Sequence, residues 1–399
     1  MLSGDRSRFG GIPLTYAKPI TARPGFDFDR PVSLWTVRTS HLAAGANIQQ
    51  GGSAKLTLRV NDRTTLTSLT AYRQSNHRFF IDADLTERPL QTNDIRDLQH
   101  RVSQELTLVR RTPKLVWIGG SYFFDEHTRG PVLITLFEAA IERRPDATID
   151  ARASAFFGQA TYQISERVSV TGGVRYTDEQ KDLDNTGGVY RLATSLADPS
   201  TFYDFVDGVS YDAWTPKTSI QARTTPDTFF YVSAARGFKS GGFNPSWPAP
   251  GRPYSPEFAW SFESGLKSTM AGGRVRTNTA VFFNDYKDLQ VQAFISPGQL
   301  DISNAASANV RGVEVEAAAA GRGLQLAGSL SWLEATYEAY HAASAGGVIR
   351  KATGNRLNNA APMGWERLAC LRVRHWTGRD GIRSWRCVVA EPCVLHPVQ

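Results

Sequence analysis

Between Tyr231 and Asp288 apolar and polar side chains alternate, and this period-two pattern limits the possible folds of the chain more than any other feature. Phe258, Trp260, Phe262 and Leu266 share one parity, whereas Glu257, Ser261, Glu263 and Lys267 share the other. In an extended strand successive side chains point to opposite faces, so this segment has one greasy and one charged face. The joints on either side differ in kind. Thr269-Met270-Ala271-Gly272-Gly273 is short and ends in a Gly pair able to take positive φ, whereas 241–256 is rich in proline and cannot be a tight turn.

The same unit recurs along most of the chain. Turn signals stand near Asn61-Asp62, Thr112-Pro113, Ser165-Glu166, Pro226-Asp227, Ala271-Gly272 and Gly321-Arg322. They repeat about every 45 to 60 residues, with two strands and one long connection per period. Val168, Val170, Gly172, Val174 and Tyr176 alternate with Ser169, Thr171, Arg175 and Thr177, and Leu324, Leu326, Leu330 and Trp332 alternate with Gln325, Ser329 and Ser331. Long polar connections are expected at roughly 73–101, 125–152, 178–213, 239–256, 287–307 and 336–354. Such loops count against a compact soluble domain. The asymmetry is that of an outer-membrane barrel, with short periplasmic turns below and long extracellular loops above. The expected fold class is therefore all-β, an antiparallel transmembrane β-barrel that is incomplete at roughly a dozen strands. A β-sandwich would also satisfy the alternation but gives no reason for every second connection to be long.

Composition supports this reading and removes others. Thirty-four glycines, 21 Phe and 13 Tyr suit strands and the turns between them. No window approaches the 18 apolar residues of a helical span, but a barrel strand of about 10 alternating residues escapes hydropathy. The net charge of +7 is scattered, with no run of five basic residues, so no nucleic-acid partner is expected. Gly237-Phe238-Lys239-Ser240 lacks the glycine spacing of a phosphate loop. No Gly-x-Ser-x-Gly elbow, His-x-x-x-His or Cys-x-x-Cys occurs, so no enzyme, metal site or cofactor is expected.

Three regions are expected: 1–50, irregular with weak strand content; 51–362, the partial barrel; and 363–399, an aberrant tail. The start Met1-Leu2-Ser3-Gly4-Asp5-Arg6 has no basic-then-apolar export signal. The tail holds all three cysteines, Cys370, Cys387 and Cys393, and its alternation is weak, which suggests translation out of frame from a point between Asn359 and Gly364.

Several motifs in order carry a family resemblance. They are the run Arg236-Gly237-Phe238-Lys239-Ser240-Gly241-Gly242-Phe243-Asn244, then Pro256-Glu257, Glu263-Ser264-Gly265-Leu266-Lys267 and Asp285-Tyr286-Lys287-Asp288. Ser103-Gln104-Glu105-Leu106, Gly172-Gly173-Val174-Arg175-Tyr176-Thr177, Asn304-Ala305-Ala306, Gly312-Val313-Glu314 and Gly354-Asn355-Arg356-Leu357 agree with them. Over roughly 56–362 the chain resembles the β-barrel of TonB-dependent outer-membrane receptors of the ferric-siderophore type. The resemblance implies an outer-membrane location and energy-dependent import of a ferric siderophore or similar scarce ligand, with TonB and outer-membrane lipid as partners. It also implies a plug and a TonB-contacting box, neither of which is found in the sequence, so the chain by itself is expected not to transport. A small passive porin-like channel is the alternative, and a soluble β-sandwich binding module a weaker one.

Ligand contact is expected on the long connections. Arg78, Phe79 and Phe80 in the first, with Trp247 and Tyr254 in the fourth, combine cation and aromatic groups suited to an anionic aromatic chelate. Interfacial anchoring explains the same aromatics equally simply. Glu314 and Glu316 alternate with Val313, Val315 and Ala317 and are expected to face the lumen, where they hydrate the wall or meet the plug.

Overall fold

A computed structural model describes residues 2–10, 39–84, 87–245, 252–296, 299–321, 324–343, 349–371, 386–389 and 393–395. All regular structure among them is strand. In chain order these are β1 (Leu2–Gly10), β2 (Ala44–Asn61), β3 (Thr64–Asp82), β4 (Gln91–Arg111), β5 (Leu115–Leu136), β6 (Ile141–Arg143) and β7 (Asp146–Gln163). There follow β8 (Val168–Arg191), β9 (Ala197–Thr225), β10 (Thr228–Lys239), β11 (Gly242–Asn244), β12 (Arg252–Tyr254), β13 (Glu257–Met270) and β14 (Val275–Ser296). The last are β15 (Gln299–Gly321), β16 (Leu324–Ala343), β17 (Ile349–Lys351), β18 (Met363–Leu371), β19 (Arg386–Val389) and β20 (Cys393–Leu395). Twelve of these strands, 12 to 29 residues long, make an antiparallel meander in which neighbours in sequence pair in space. β1 extends the meander at one side by pairing with β2. β18, inside the segment expected to be a tail, pairs in register with β16 at the other.

Register carries side-chain parity across the sheet. One rung joins Val170, Ile220, Val232, Ser264, Val281, Val313 and Trp332. The next rung but on the opposite face joins Ser169, Gln221, Tyr231, Gly265, Ala280, Glu314 and Ser331. The apolar face is bare: Ile220 is 52% exposed and Val281 53%. In water such a surface would be costly, whereas in a bilayer it meets hydrocarbon. Its upper margin is aromatic, with Tyr72, Phe123, Phe156, Trp214, Trp260, Phe283 and Trp332 all exposed. Tyr176 and Trp214 lie against each other there, 4.8 Å between ring centres. Directly above stand charges and ion pairs such as Arg152–Asp125 (3.3 Å) and Arg311–Glu334 (2.7 Å).

The expected turns form where their residues place them. Asn61 accepts the Arg63 N–H at 3.0 Å, Ser165 accepts the Val168 N–H at 3.2 Å, and the Thr112 hydroxyl donates to the Leu115 carbonyl at 3.0 Å. At the β13–β14 turn Ala271, Gly272 and Gly273 have φ of 54°, 64° and 85°, so the left-handed stretch begins one residue before the glycine pair. Gly321 pairs with Leu324 around the last turn, whose Arg322 lies outside the described residues.

The long connections differ from the irregular loops expected. Across 73–101 the ladder runs on from Arg73–Arg101 to Asp82–Thr92, and across 178–213 from Asp178–Asp212 to Gly187–Tyr203. The segments at 125–152 and 287–307 are ladder as well. Among the described residues, 336–354 carries the short pairing of β16 with β17 from His341–Lys351 to Ala343–Ile349, and 239–256 leaves the sheet as the small hairpin of β11 and β12. Above the bilayer both faces of a strand meet water, so hydropathy no longer alternates, while the backbone still needs hydrogen-bond partners and finds them across the hairpin. A bilayer needs about 9–11 residues per tilted strand, so β8 (24 residues) and β9 (29 residues) rise far beyond it.

Candidate ligand-facing mouth

Above the bilayer band, the connection between β10 and β13 folds back onto the polar face of the sheet. Phe243, 5% exposed, packs with Ala147 of β7 and Leu183 of β8. Its neighbour Asn244 acts as a peptide-like edge toward β15, donating to the Ile302 carbonyl (2.7 Å) and accepting the Ile302 N–H (2.8 Å). In a flat sheet β8 and β15 would stand about 24 Å apart, five spacings of ~4.8 Å. Two adjacent side chains do not span that gap. The sheet therefore curls with its polar face inside, and the connection crosses the interior as a strap.

Both ends of the strap are tied. On the β8–β9 side the Lys181 ammonium donates to the Gly241 carbonyl (2.6 Å) and the Ser240 hydroxyl (3.3 Å), and the Tyr211 hydroxyl donates to the Tyr254 carbonyl (2.9 Å). On the β14–β15 side Gln290 donates to the Ser240 and Ser255 carbonyls at 2.9 and 3.0 Å. Asn304 accepts the Ser255 N–H (2.7 Å) and donates to the Ser255 and Asp288 carbonyls, both at 2.8 Å. Gly241 is required by proximity: a Cβ there would lie 2.2 Å from the Tyr254 carbonyl oxygen and 2.5 Å from the Tyr211 ring. Burial raises the pKa of the Tyr211 and Tyr254 phenols, with Tyr254, Asp207 and Glu179 adding to the rise at Tyr211. Both phenols are thus neutral donors at ordinary pH, and Lys181, 3.0 Å from Glu179, supplies the local cation.

The family model for the TonB-dependent receptor-like β-barrel matches residues 3–383. The chain belongs to that family. Its members are outer-membrane transporters and not enzymes. The pesticin receptor of Yersinia enterocolitica is 26% identical over 170 residues, 42% of this chain and 23% of the receptor. The ferric yersiniabactin uptake receptor FyuA of Yersinia pestis superposes at a TM-score of 0.67 with 17% identity, covering 84% of this chain and 48% of FyuA. The siderophore receptor PiuA of Acinetobacter baumannii gives 0.67 with 15% identity, covering 82% and 53%. The chain thus spans about half of these solved receptors and a smaller share of the curated one.

Within this receptor barrel the candidate residues are dispersed. Arg78 is held by Asp94, Nε to Oδ1 at 2.9 Å, and shares the outward parity with Phe80, which meets His41 edge-on at 6.3 Å. Phe79 lies on the inner parity, its ring 6.3 Å from that of His77. Trp247 lies outside the described residues. Tyr254 belongs to the strap. Glu314 and Glu316 stand on the inner, polar face, where Glu316 accepts from Asn278 at 3.1 Å. Among the described residues no group of three His, Cys, Asp or Glu side chains gathers to hold a metal ion. The strap anchors Lys181, Tyr211 and Gln290 escaped sequence reasoning because each sits on a polar strand with nothing local to distinguish it. Asn244 and Asn304 had a signal, since both fall inside the family-like motifs.

Proposed function

We propose that the chain forms wall and mouth of a receptor for TonB-dependent uptake of a ferric siderophore or a similar scarce anionic chelate. The observation that carries this reading is the strap, which holds Lys181 beside Tyr211 and Tyr254 on the inner face at the extracellular end. A cation next to neutral phenols suits an anionic chelate with aromatic or hydroxamate arms. The likeness to FyuA, a ferric yersiniabactin uptake receptor, and to PiuA, a siderophore receptor, supports the same ligand class. In this reading Phe79 adds aromatic contact around the mouth, Arg78 and Phe80 serve the outer rim, and Glu314 and Glu316 keep the lumen wall hydrated.

Every described element belongs to the wall or the strap. The test is a titration of the detergent-folded chain with a panel of ferric siderophores and their iron-free forms, followed by tryptophan fluorescence. Saturable quenching by ferric forms that weakens in Lys181→Met supports the reading. Indifference to every chelate, together with steady conductance in planar bilayers, would instead favour a passive channel.

A further inference from the structure

Above the bilayer band β9 loses one of its two neighbours. β10 pairs with it from Thr228–Thr225 up to Ala235–Lys217 and then continues beside β13 alone, as far as Lys239–Glu257. β9 itself runs on from Pro216 to Tyr203, paired with β8. The break has a local cause. Backbone groups of alternate residues face β10, at Ala222, Ile220 and Thr218, and the next in that series is Pro216, which has no N–H to give.

Two hydrogen bonds fix which residues face the vacated side. The Trp214 carbonyl accepts from the Arg236 guanidinium of β10 at 3.2 Å, and the Gly208 N–H donates to Oδ1 of its neighbour Asp207 at 2.8 Å. By the same alternation the backbone groups of Asp212, Ser210, Val206 and Asp204 face that side as well. Among the described residues no strand pairs with them there.

An unpaired edge is a template for another strand, and proteins blunt such edges with lysine or proline. This one is acidic instead. Asp204 and Asp212 lie on it, Asp178 stands directly across the ladder from Asp212, and Asp184 stands across from Val206. Like charges facing each other on neighbouring strands cost stability. Among the described residues the one ion pair within this hairpin is Lys181–Glu179 at 3.0 Å, on the inner face. The inner flank of the edge is apolar, where Phe205 and Val209 pack against Leu183 and Phe243.

We propose that the β9 edge binds an extended peptide as an added strand, one whose side chains alternate between cationic and apolar. The edge from Asp204 to Asp212 is about 27 Å long at ~3.4 Å per residue. Backbone bonds supply the affinity; lysine or arginine falls outward against Asp204 and Asp212, and apolar residues fall inward beside Phe205 and Val209. A second copy of the chain fits poorly, since pairing about Gly208 sets Asp204 against Asp212. The chain's own 246–251, outside the described residues, contains Pro248 and Pro250 and so lacks the donors of a ladder strand.

The test titrates the detergent-folded full chain into a fluorescently labelled peptide of alternating lysine and valine and follows its anisotropy. Saturable binding is expected, about ten-fold weaker when the chain carries Asp204→Asn together with Asp212→Asn. The same peptide N-methylated throughout keeps its charge and loses its donors, and is expected to bind at least ten-fold more weakly. Circular dichroism checks that the double variant keeps its sheet. Equal binding of the N-methylated peptide would overturn the proposal, because charge attraction alone would then suffice. Equal affinity of the double variant, or equal binding of an alternating glutamate and valine peptide, would overturn it too. Cross-linking of two chains through Ser210→Cys, abolished by no peptide, would assign the edge to a second copy and sink it.

Discussion

Single residues decide how the strap sits. At Gly241 a side chain meets the Tyr254 carbonyl and the Tyr211 ring, so Gly241→Val is expected to lift the strap from the inner face at a cost of roughly 1–3 kcal/mol. Hydrogen exchange of Gly242–Asn244, which are paired with β12 and buried, should become fast, while the band strands stay protected. Unchanged protection would mean that the strap tolerates the clash by shifting as a unit. Higher on β9, burial and then the Asp146 charge push the Tyr203 phenol up to about 12. The unfolded phenol titrates near 10, so between pH 10 and 12 the unfolded state has released a proton that the folded state keeps. Stability supplied by Tyr203 is present below pH 10 and falls as pH climbs toward 12. Ultraviolet titration should show one late-titrating phenol fewer in Tyr203→Phe than in the wild type, and an unchanged late amplitude in that variant would assign the shift elsewhere.

At the scale of elements, the ladder outlasts the hydrophobic pattern that announces it. β8 and β9 stay in register from Val168–Ala222 to Gly187–Tyr203, although above Tyr176–Trp214 the outward positions are largely Asp178, Gln180, Asp182, Asp184, Asp212, Ser210 and Asp204. Hydrogen exchange over 178–187 and 203–213 is therefore expected to take minutes or longer in the detergent-folded chain. Exchange within seconds there would return these segments to the irregular loops expected from composition. The connections are long as expected, and their pairing was not legible for a physical reason: composition reports burial, and a solvated hairpin buries little side-chain surface while still pairing its backbone.

For the molecule as a whole, the described strands form an arc with two edges. β1 pairs only with β2, and β18 with β16, β19 and β20; among the described residues no ladder joins the two ends. Lipid cannot satisfy the N–H and C=O groups of an open edge, so the edges need partners. In detergent the 399-residue chain is expected to self-associate through them, which light scattering would record as oligomers. A monodisperse monomer with the heat-modifiable migration of a closed barrel would show that the edges meet each other.

The sequence by itself determined the all-β class, the two faces of each strand, the turns at one end and the family. Period-two alternation and turn chemistry are local, and a strand of either parity must bury or bathe its greasy face wherever it lies. It also marked Asn244 and Asn304, though not what they hold. Tertiary structure alone decided that Arg78 and Phe80 point away from Phe79, that polar connections continue as ladder, and that Lys181, Tyr211, Gln290, Ile302 and Asn304 converge on one strap. These residues are distant in sequence and come together only because the sheet curls, and the curl is set by the summed twist of many strands and not by any one segment.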